Sequence, residues 1–259
     1  MAAAPDVWNN RLVQQVAILG DIHGDYERML EIAGGLDPTV PLVVVGDYFD
    51  RWNHAMEAVR WLMERPNTTA LLGNHDALIL GVVEEALRGE EGRNTENWLW
   101  NGGDRRDLKR LMAEPAALEW LRQLPAMVMI GDTLVQHSDS PVYLLYGDGV
   151  DAVNKAFRVR VQSRDPEVLL RLFADLCRRR QFYDVGALRA YLQVFQAKRL
   201  VHGHTPHTKP QALSMFGGTL VNVDGAMSRG FGPGPRGFIH WLELEDAGAQ
   251  GTLIGAPPA

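Results

Sequence analysis

The chain has 259 residues, of which 46% are hydrophobic and 22% charged, and its 26 basic and 32 acidic residues give a net charge of −6. This composition is typical of a folded, enzyme-sized protein and excludes a disordered or low-complexity chain. The acidic balance argues against a surface that binds nucleic-acid phosphates. No apolar run reaches the length of about 18 residues that a membrane span needs.

Targeting and redox features are sparse. Residues 1–10 lack the basic and apolar regions of an export signal. The single cysteine, Cys177, cannot form an intramolecular disulfide, and its apolar neighbours in a predicted helix indicate an inert buried thiol. We therefore expect a cytoplasmic protein with no membrane partner and no nucleic-acid partner, and the oligomeric state stays open.

Three short apolar runs, each ending in glycine and then in a carboxylate or carboxamide, organise the first third of the chain. They are Ala17 to Asp21, Val43 to Asp47 and Ala70 to Asn74. Their lack of polar alternation predicts strands that are covered on both faces. Helical patterns follow them over residues 26–33, 53–64 and 77–87. This succession predicts parallel pairing through right-handed crossovers, with the polar residues at the strand ends that face a functional crevice.

The remaining elements suggest further strands and two helical insertions. Residues 96–124 read as helical, with a break at 101–103 and with three tryptophans as core anchors: Trp98, Trp100 and Trp120. Residues 127–137 are typical of a hairpin that ends at His137.

Asp165 and Asp184 are predicted to begin two helices, which end near residues 180 and 197. Short strands over 199–201, 220–223 and 238–244 complete the sheets, and 229–237 is a loop. We expect one domain over residues 1–259, with helical insertions at about 90–122 and 150–198.

The polar residues at the strand ends form an ordered set. In Gly20-Asp21-Ile22-His23-Gly24, a carboxylate and an imidazole two residues apart point to the same side of an extended backbone, so both can bind one metal ion. A lone Asp-x-His is a weak signal. It becomes specific because Gly46-Asp-Tyr-Phe-Asp-Arg51 and Gly73-Asn-His-Asp76 follow matching strands, and because His137 and Gly203-His204 follow later ones.

These ordered motifs resemble the calcineurin-like metallophosphoesterases, and most closely their phosphoprotein phosphatase branch with its bacterial relatives. The resemblance covers about residues 16–205 and includes Asn101-Gly-Gly103 and Trp120-Leu-Arg-Gln-Leu-Pro125. It implies an α/β (α+β) fold, a four-layer sandwich of two mixed β-sheets flanked by helices, with helical insertions.

The resemblance also implies a binuclear metal centre in which Asp47 bridges. One metal ion is held by Asp21, His23 and Asp47, and the other by Asp47, Asn74, His137 and His204. Mixed oxygen and nitrogen ligands suit two divalent ions, with manganese favoured and iron, zinc or cobalt as alternatives. Two such ions about 3.5–4 Å apart polarise phosphoryl oxygens and lower the pKa of a shared water, which is the expected nucleophile.

Three further residues are candidates for catalysis. His75, beside Asn74, is the candidate general acid for the leaving oxygen, and Asp50 is expected to orient its ring. The planar guanidinium of Arg51 matches two phosphate oxygens. A surface ion pair or a helix cap is the alternative reading of Asp50 and Arg51.

Substrate contacts are predicted for Arg51, Asn74 and Arg229. Arg158 and Arg160 are alternatives to Arg229 as the second phosphate-binding arginine. Arg178 to Arg180 reads as an exposed helix end. The remaining histidines, His54, His207 and His240, are expected to be solvated or packed, and His202 is left open.

The sequence thus predicts a binuclear phosphoester hydrolase that acts on serine/threonine phosphoproteins or on a small phosphomonoester. A dinucleoside polyphosphate hydrolase of the diadenosine tetraphosphate type is an alternative, and a catalytically inactive metal-binding scaffold is the non-enzyme alternative. Several residues depart from the branch's pattern: Trp52, Leu72, Asp76 and Ser138-Asp139. Because they put bulk and charge at the pocket rim, the protein-substrate specificity of the branch is not carried over.

Overall fold

A computed structural model of the chain describes residues 15–233 and 236–244. The prediction that residues 1–10 carry no export signal therefore concerns residues outside the described part. The strands are β1 Gln15–Leu19, β2 Leu42–Val44, β3 Thr68–Ala70, β4 Met127–Ile130, β5 Thr133–Gln136, β6 Arg199–His202, β7 Leu213–Met215, β8 Leu220–Asn222 and β9 Ile239–Glu243. The α-helices are α1 Tyr26–Ala33, α2 Ala55–Glu64, α3 Asn74–Leu87, α4 Arg93–Trp100, α5 Arg105–Met112, α6 Pro115–Leu121, α7 Val150–Val161, α8 Pro166–Leu176 and α9 Val185–Val194.

The strands form two mixed sheets. The first has the order β3-β2-β1-β9, with β1, β2 and β3 parallel and β9 antiparallel to β1. The second has the order β4-β5-β6-β8-β7, in which β5, β6 and β8 are parallel and the outer strands are antiparallel. The predicted fold of two mixed sheets flanked by helices is confirmed.

Alternation within the apolar strands explains the layering. In β1, Val16 and Ile18 face a valine-rich layer between the two sheets, whereas Ala17 and Leu19 face the helices. The layer between the sheets draws on both of them: Val43, Val45, Val128, Val135, Val201 and Val221. Since all four residues of this part of β1 are fully buried, the strand has no polar face, as expected of a strand that is covered on both sides.

The two regions predicted as helical insertions contain three α-helices each. The predicted break at residues 101–103 separates α4 from α5, and α6 begins separately at Pro115 because proline disfavours a helical residue before it. Side chains of Asp104, Asp165 and Asp184 cap α5, α8 and α9. Among the described residues, no helix is both long and apolar enough to cross a membrane.

Some element boundaries differ from the prediction. α3 begins at Asn74 rather than at Ala77, so a predicted ligand lies in its first turn. α8 ends at Leu176 rather than near residue 180, which moves Arg178 to Arg180 off the helix. β7 was not predicted because its three residues are partly exposed and carry no clear alternation.

Candidate metal centre

Asp47 lies between two groups of metal-ligating side chains at the carboxyl ends of the parallel strands. His23, Asp47 and His75 form one group, and Asp47, His137 and His204 form the other. All five side chains are buried. One carboxylate oxygen of Asp47 is 3.6 Å from His23 Nε2, and the other is 3.6 Å from His137 Nε2. The carboxylate therefore has one oxygen for each side of the centre.

The ring nitrogens of His137 and His204 fit a cation. His137 Nε2 lies 3.1 Å from His204 Nδ1 and 2.9 Å from Asn74 Oδ1. The other nitrogen of each ring lies within hydrogen-bond distance of a carbonyl, 2.9 Å from Val45 O for His137 and 3.1 Å from Cys177 O for His204. When each ring donates to its carbonyl, His137 Nε2 and His204 Nδ1 each carry a lone pair. These two lone pairs face each other beside the amide oxygen of Asn74, an arrangement that a shared cation stabilises.

Electrostatics keep these imidazoles neutral, as metal ligands must be. Burial lowers the pKa of His137 and lowers that of His204 to about 3. The positive charge of Arg179 acts in the same direction on both rings. The pKa of Asp47, in contrast, lies far below its usual value: burial opposes its ionisation, but the interactions of its carboxylate with the surrounding histidines outweigh burial.

His23 and Asp21 bound the other side of the centre. His23 Nδ1 lies 3.1 Å from Phe49 O, which leaves Nε2 directed at Asp47. Both oxygens of Asp21 accept from the backbone amide of His204, at 3.1 Å each, so this carboxylate connects the two sheets. Asp21 is not part of either three-residue group among the described residues. Burial and the charge of Asp224 raise its pKa well above the usual value.

Five residues of this region have left-handed backbone conformations. Their φ values are 46° for His23, 53° for Asp47, 71° for Asp50, 69° for Arg51 and 62° for His204. Such conformations cost roughly 1–3 kcal/mol each outside glycine and cluster at functional sites.

Asp76 stabilises part of this backbone. Its carboxylate accepts from the amides of Asp47, Tyr48 and Gly73, each at 2.9 Å. Asp76 therefore holds the ends of β2 and β3 together.

His75 has a carboxylate on one ring nitrogen and a guanidinium at the other. Its Nδ1 is 2.5 Å from Asp50 Oδ2, and Nε2 is 3.5 Å from Arg51 Nη2. The indole of Trp98 donates to the second oxygen of Asp50 at 2.6 Å. Although burial lowers the pKa of His75, the charges of Asp47 and Asp50 raise it overall. Trp98, predicted only as a core anchor, is thus also a hydrogen-bond donor to the predicted orienting residue.

Arg51 links the centre to an open cleft. Its guanidinium lies 4.9 Å from the ring centroid of Phe231, whose ring also meets the edge of His23 at 5.4 Å. The cleft has a volume of about 540 Å³ and is lined by Arg51, Trp52, Asn53 and residues 102–106. Phe231 lies in the glycine- and proline-rich loop, where composition carries no signal for such a contact.

Two arginines have positions that the sequence did not indicate. Arg229 donates to Asp25 and to Glu27 and stacks on Trp52 at 4.7 Å, so its donors are directed at carboxylates. Its predicted substrate contact stays a prediction. Arg179 is exposed on the segment after α8, and its charge reaches the buried histidines of the centre.

The other singled-out residues lie around this centre. His54 is the N-cap residue of α2 and pairs with Glu27. His207 stacks on Phe238 at 5.8 Å. His202 is fully buried, and its Nε2 has no hydrogen-bond partner among the described residues. Cys177 is half-buried at the end of α8, and burial raises the pKa of its thiol to about 12, so the thiol is protonated at neutral pH.

Comparisons with known proteins agree with this geometry. A family model described as calcineurin-like phosphoesterase matches residues 15–208, the range that contains all the predicted metal ligands. The serine/threonine-protein phosphatase 6 catalytic subunit of Caenorhabditis elegans is 34% identical over 94 residues, which are 32% of this chain and 28% of that protein. The chain thus spans less than a third of this curated relative.

Two solved structures are similar in fold. The cold-active protein-tyrosine phosphatase of a psychrophile, Shewanella sp., has a TM-score of 0.65 and 20% identity, covering 89% of this chain and 76% of that one. A protein serine/threonine phosphatase from Saccharomyces cerevisiae has a TM-score of 0.53 and 14% identity, covering 95% and 85%.

Proposed function

Because the chain belongs to the calcineurin-like phosphoesterase family, we propose that it is a metal-dependent phosphatase. Its proposed substrates are phosphoserine or phosphothreonine in proteins, or a small phosphomonoester. We also propose that it acts in the cytoplasm.

The observation that carries this proposal is the position of His75. Its ring is anchored by Asp50 beside the two His/Asp groups, and its Nε2 faces Arg51. A scaffold that only bound metal would not need a histidine oriented by a buried carboxylate. Besides the metal site, phosphoester cleavage needs a proton donor for the leaving oxygen and a positive charge near the phosphoryl oxygens. His75 and Arg51 are placed to supply these.

In the proposed mechanism, Asp21, His23, Asp47, Asn74, His137 and His204 hold two divalent cations. We favour manganese, with iron, zinc or cobalt as alternatives. When bound, such a pair polarises phosphoryl oxygens and acidifies water.

The chain's own groups act around it. Asp50 keeps a proton on Nδ1 of His75 and stabilises the cationic ring. The Nε2 of His75 donates its proton to the leaving oxygen, while the guanidinium of Arg51 pairs with phosphoryl oxygens. Arg179 is our candidate for a second contact to the phosphoryl group, because Arg229 is engaged by Asp25 and Glu27.

The test compares a catalytic variant with a matched histidine variant. His75→Asn removes the proposed acid, whereas His54→Asn places a favourable capping residue at the half-exposed N-cap position of α2, where the side chain of His54 makes no capping hydrogen bond. With p-nitrophenyl phosphate and Mn²⁺, we expect a loss of about 100-fold or more in kcat for His75→Asn and little change for His54→Asn. Equal rates for His75→Asn and the unmodified protein would remove His75 from the chemistry.

A substrate panel separates the remaining alternatives. The panel contains phosphoserine, phosphothreonine and phosphotyrosine peptides, nucleotides, sugar phosphates and diadenosine tetraphosphate. Preferred cleavage of diadenosine tetraphosphate would favour the polyphosphate alternative. A protein that binds two metal ions but cleaves no member of the panel would favour the inactive scaffold and contradict the proposed function.

A further inference from the structure

Asp224 lies at the same sheet edge as the predicted metal ligands. β6 and β8 are parallel neighbours in which His202 pairs with Asn222, so His204 and Asp224 each lie two residues beyond this pair, at the carboxyl ends of adjacent strands. Asp224 is 1% exposed. The topology therefore places a buried carboxylate one strand away from a predicted metal ligand.

The two oxygens of Asp224 have different surroundings. Oδ1 accepts from the amide of Ala226 at 3.0 Å, in a turn where Ala226 has a left-handed φ of 48°. Oδ2 is buried and has no hydrogen-bond partner in the described part of the chain. A buried carboxylate oxygen without a partner is costly, so it calls for a cation or a proton.

Asp21 is the neighbour from the other sheet. A Cβ added to Gly20 would lie 2.4 Å from Val223 O and 3.0 Å from Asp224 Cα, so the chain just before Asp21 packs directly on Asp224. Two buried carboxylates so placed repel each other unless a positive charge lies near them.

The charge balance of the centre identifies that positive charge. Two divalent cations bring four positive charges, whereas Asp21 and Asp47 are the only carboxylates among the six predicted ligands. We infer that Asp224 is a further carboxylate of the metal centre, acting through Oδ2 on the cation held by Asp21 and His23. This inference rests on the proposed function, since it assumes a metal pair.

The test uses two matched substitutions of buried aspartates. Asp224→Asn keeps the size of the side chain and the Oδ1 that accepts from Ala226. Asp107→Asn is the control, because Asp107 on α5 is 2% exposed and neither of its oxygens has a hydrogen-bond partner within residues 15–233 and 236–244. Mn²⁺ binding is measured by calorimetry and by metal analysis after dialysis. We expect Asp224→Asn to weaken the binding of one of the two Mn²⁺ ions by at least tenfold. The Asp107→Asn variant should bind both ions with the affinity of the unmodified protein.

Thermal unfolding with and without EDTA separates this role from a structural one. If Asp224 acts on the cation, Asp224→Asn lowers the unfolding temperature only with Mn²⁺ present, and Asp224→Ser behaves in the same way. Unchanged Mn²⁺ affinity, or an equal loss of stability in EDTA, would overturn the inference. A protein that binds two Mn²⁺ ions and hydrolyses phosphoesters, but is insensitive at Asp224, overturns this inference alone. An unmodified protein that binds no Mn²⁺ contradicts the proposed function itself.

Discussion

Trp98 connects the first helical insertion to the proposed general acid. Its ring is fully buried, packs on the backbone of Gly103, and donates to Asp50 Oδ1 at 2.6 Å. Trp98→Phe keeps an aromatic ring in this place but removes the indole donor to that oxygen. The carboxylate that orients His75 then has one buried oxygen without this partner.

The size of the effect follows from the kind of bond removed. A hydrogen bond to a charged group contributes about 1.5–3 kcal/mol, and at about 1.36 kcal/mol per tenfold this corresponds to roughly 10- to 150-fold in rate. We expect kcat to fall within this range, because an ionised Asp50 keeps His75 in the protonated form that can donate to the leaving oxygen. KM and metal content should change little, since Trp98 is fully buried and its indole donates to Asp50 rather than to a predicted metal ligand.

The assay measures kcat and KM for p-nitrophenyl phosphate together with metal content and unfolding by urea. Trp120→Phe is the control, because Trp120 packs edge to face against Tyr48 at 5.4 Å on α6. The control should lose stability and keep kcat. If Trp98→Phe lowers stability but retains the kcat of the unmodified protein, the proposed link from Trp98 through Asp50 to His75 is wrong.

Three further predictions concern Arg179, Glu85 and Trp52. Arg179→Gln should raise KM for a phosphopeptide by about tenfold, because one charge-assisted contact is lost. Arg178→Gln should leave KM unchanged, since the guanidinium of Arg178 pairs with Asp175. Equal KM values in the two variants would contradict the role of Arg179. Burial favours a higher pKa for Glu85, but hydrogen bonds from Thr95 and Asn94 outweigh it and lower the pKa. Ionised Glu85 therefore stabilises the fold above the ordinary pKa of 4.5, and this stability is lost as the pH falls through the lowered value. Glu85→Gln should cost about 1–3 kcal/mol in urea unfolding at pH 7 and much less at pH 3, and an equal cost at both would refute this. Trp52→Gly should change the ratio of kcat/KM between a phosphopeptide and p-nitrophenyl phosphate while both metal ions stay bound, and loss of both ions would contradict a role at the rim.

The family and the sheets can be predicted from the sequence because the residues that mark each strand end are adjacent in the chain. Gly20-Asp21, Gly46-Asp47 and Gly73-Asn74 each follow an apolar run, and such runs predict both the strand and its carboxyl end. The exact start of α3 was missed, since Asn74 and His75 lack the apolar periodicity by which the rest of the helix was recognised. Tertiary contacts of Asp76 with the β2 loop supply the missing stabilisation at that helix start.

What the sequence could not predict depends on contacts between distant segments. The sequence places Arg229 in a glycine-rich loop, but only the fold reveals Asp25 as its partner, 204 positions away. The sequence predicts Arg179 at a helix end, because nothing local indicates that α8 stops at Leu176. Asp224 follows a three-residue strand that carries no motif, so its approach to Asp21 emerges only when the two sheets pack together.

The pairing of β1 with β9 has a consequence for how the chain is made. Gln15 lies opposite Glu243 in this antiparallel ladder, 228 positions later in the sequence, and their side chains are hydrogen-bonded. At about 5–20 residues per second, a ribosome needs roughly 10–45 s to travel from one strand to the other. Throughout that time one edge of an apolar strand is unpaired in the nascent chain, and such edges are where aggregation begins. Protection of this edge during translation is therefore a requirement that the topology itself imposes.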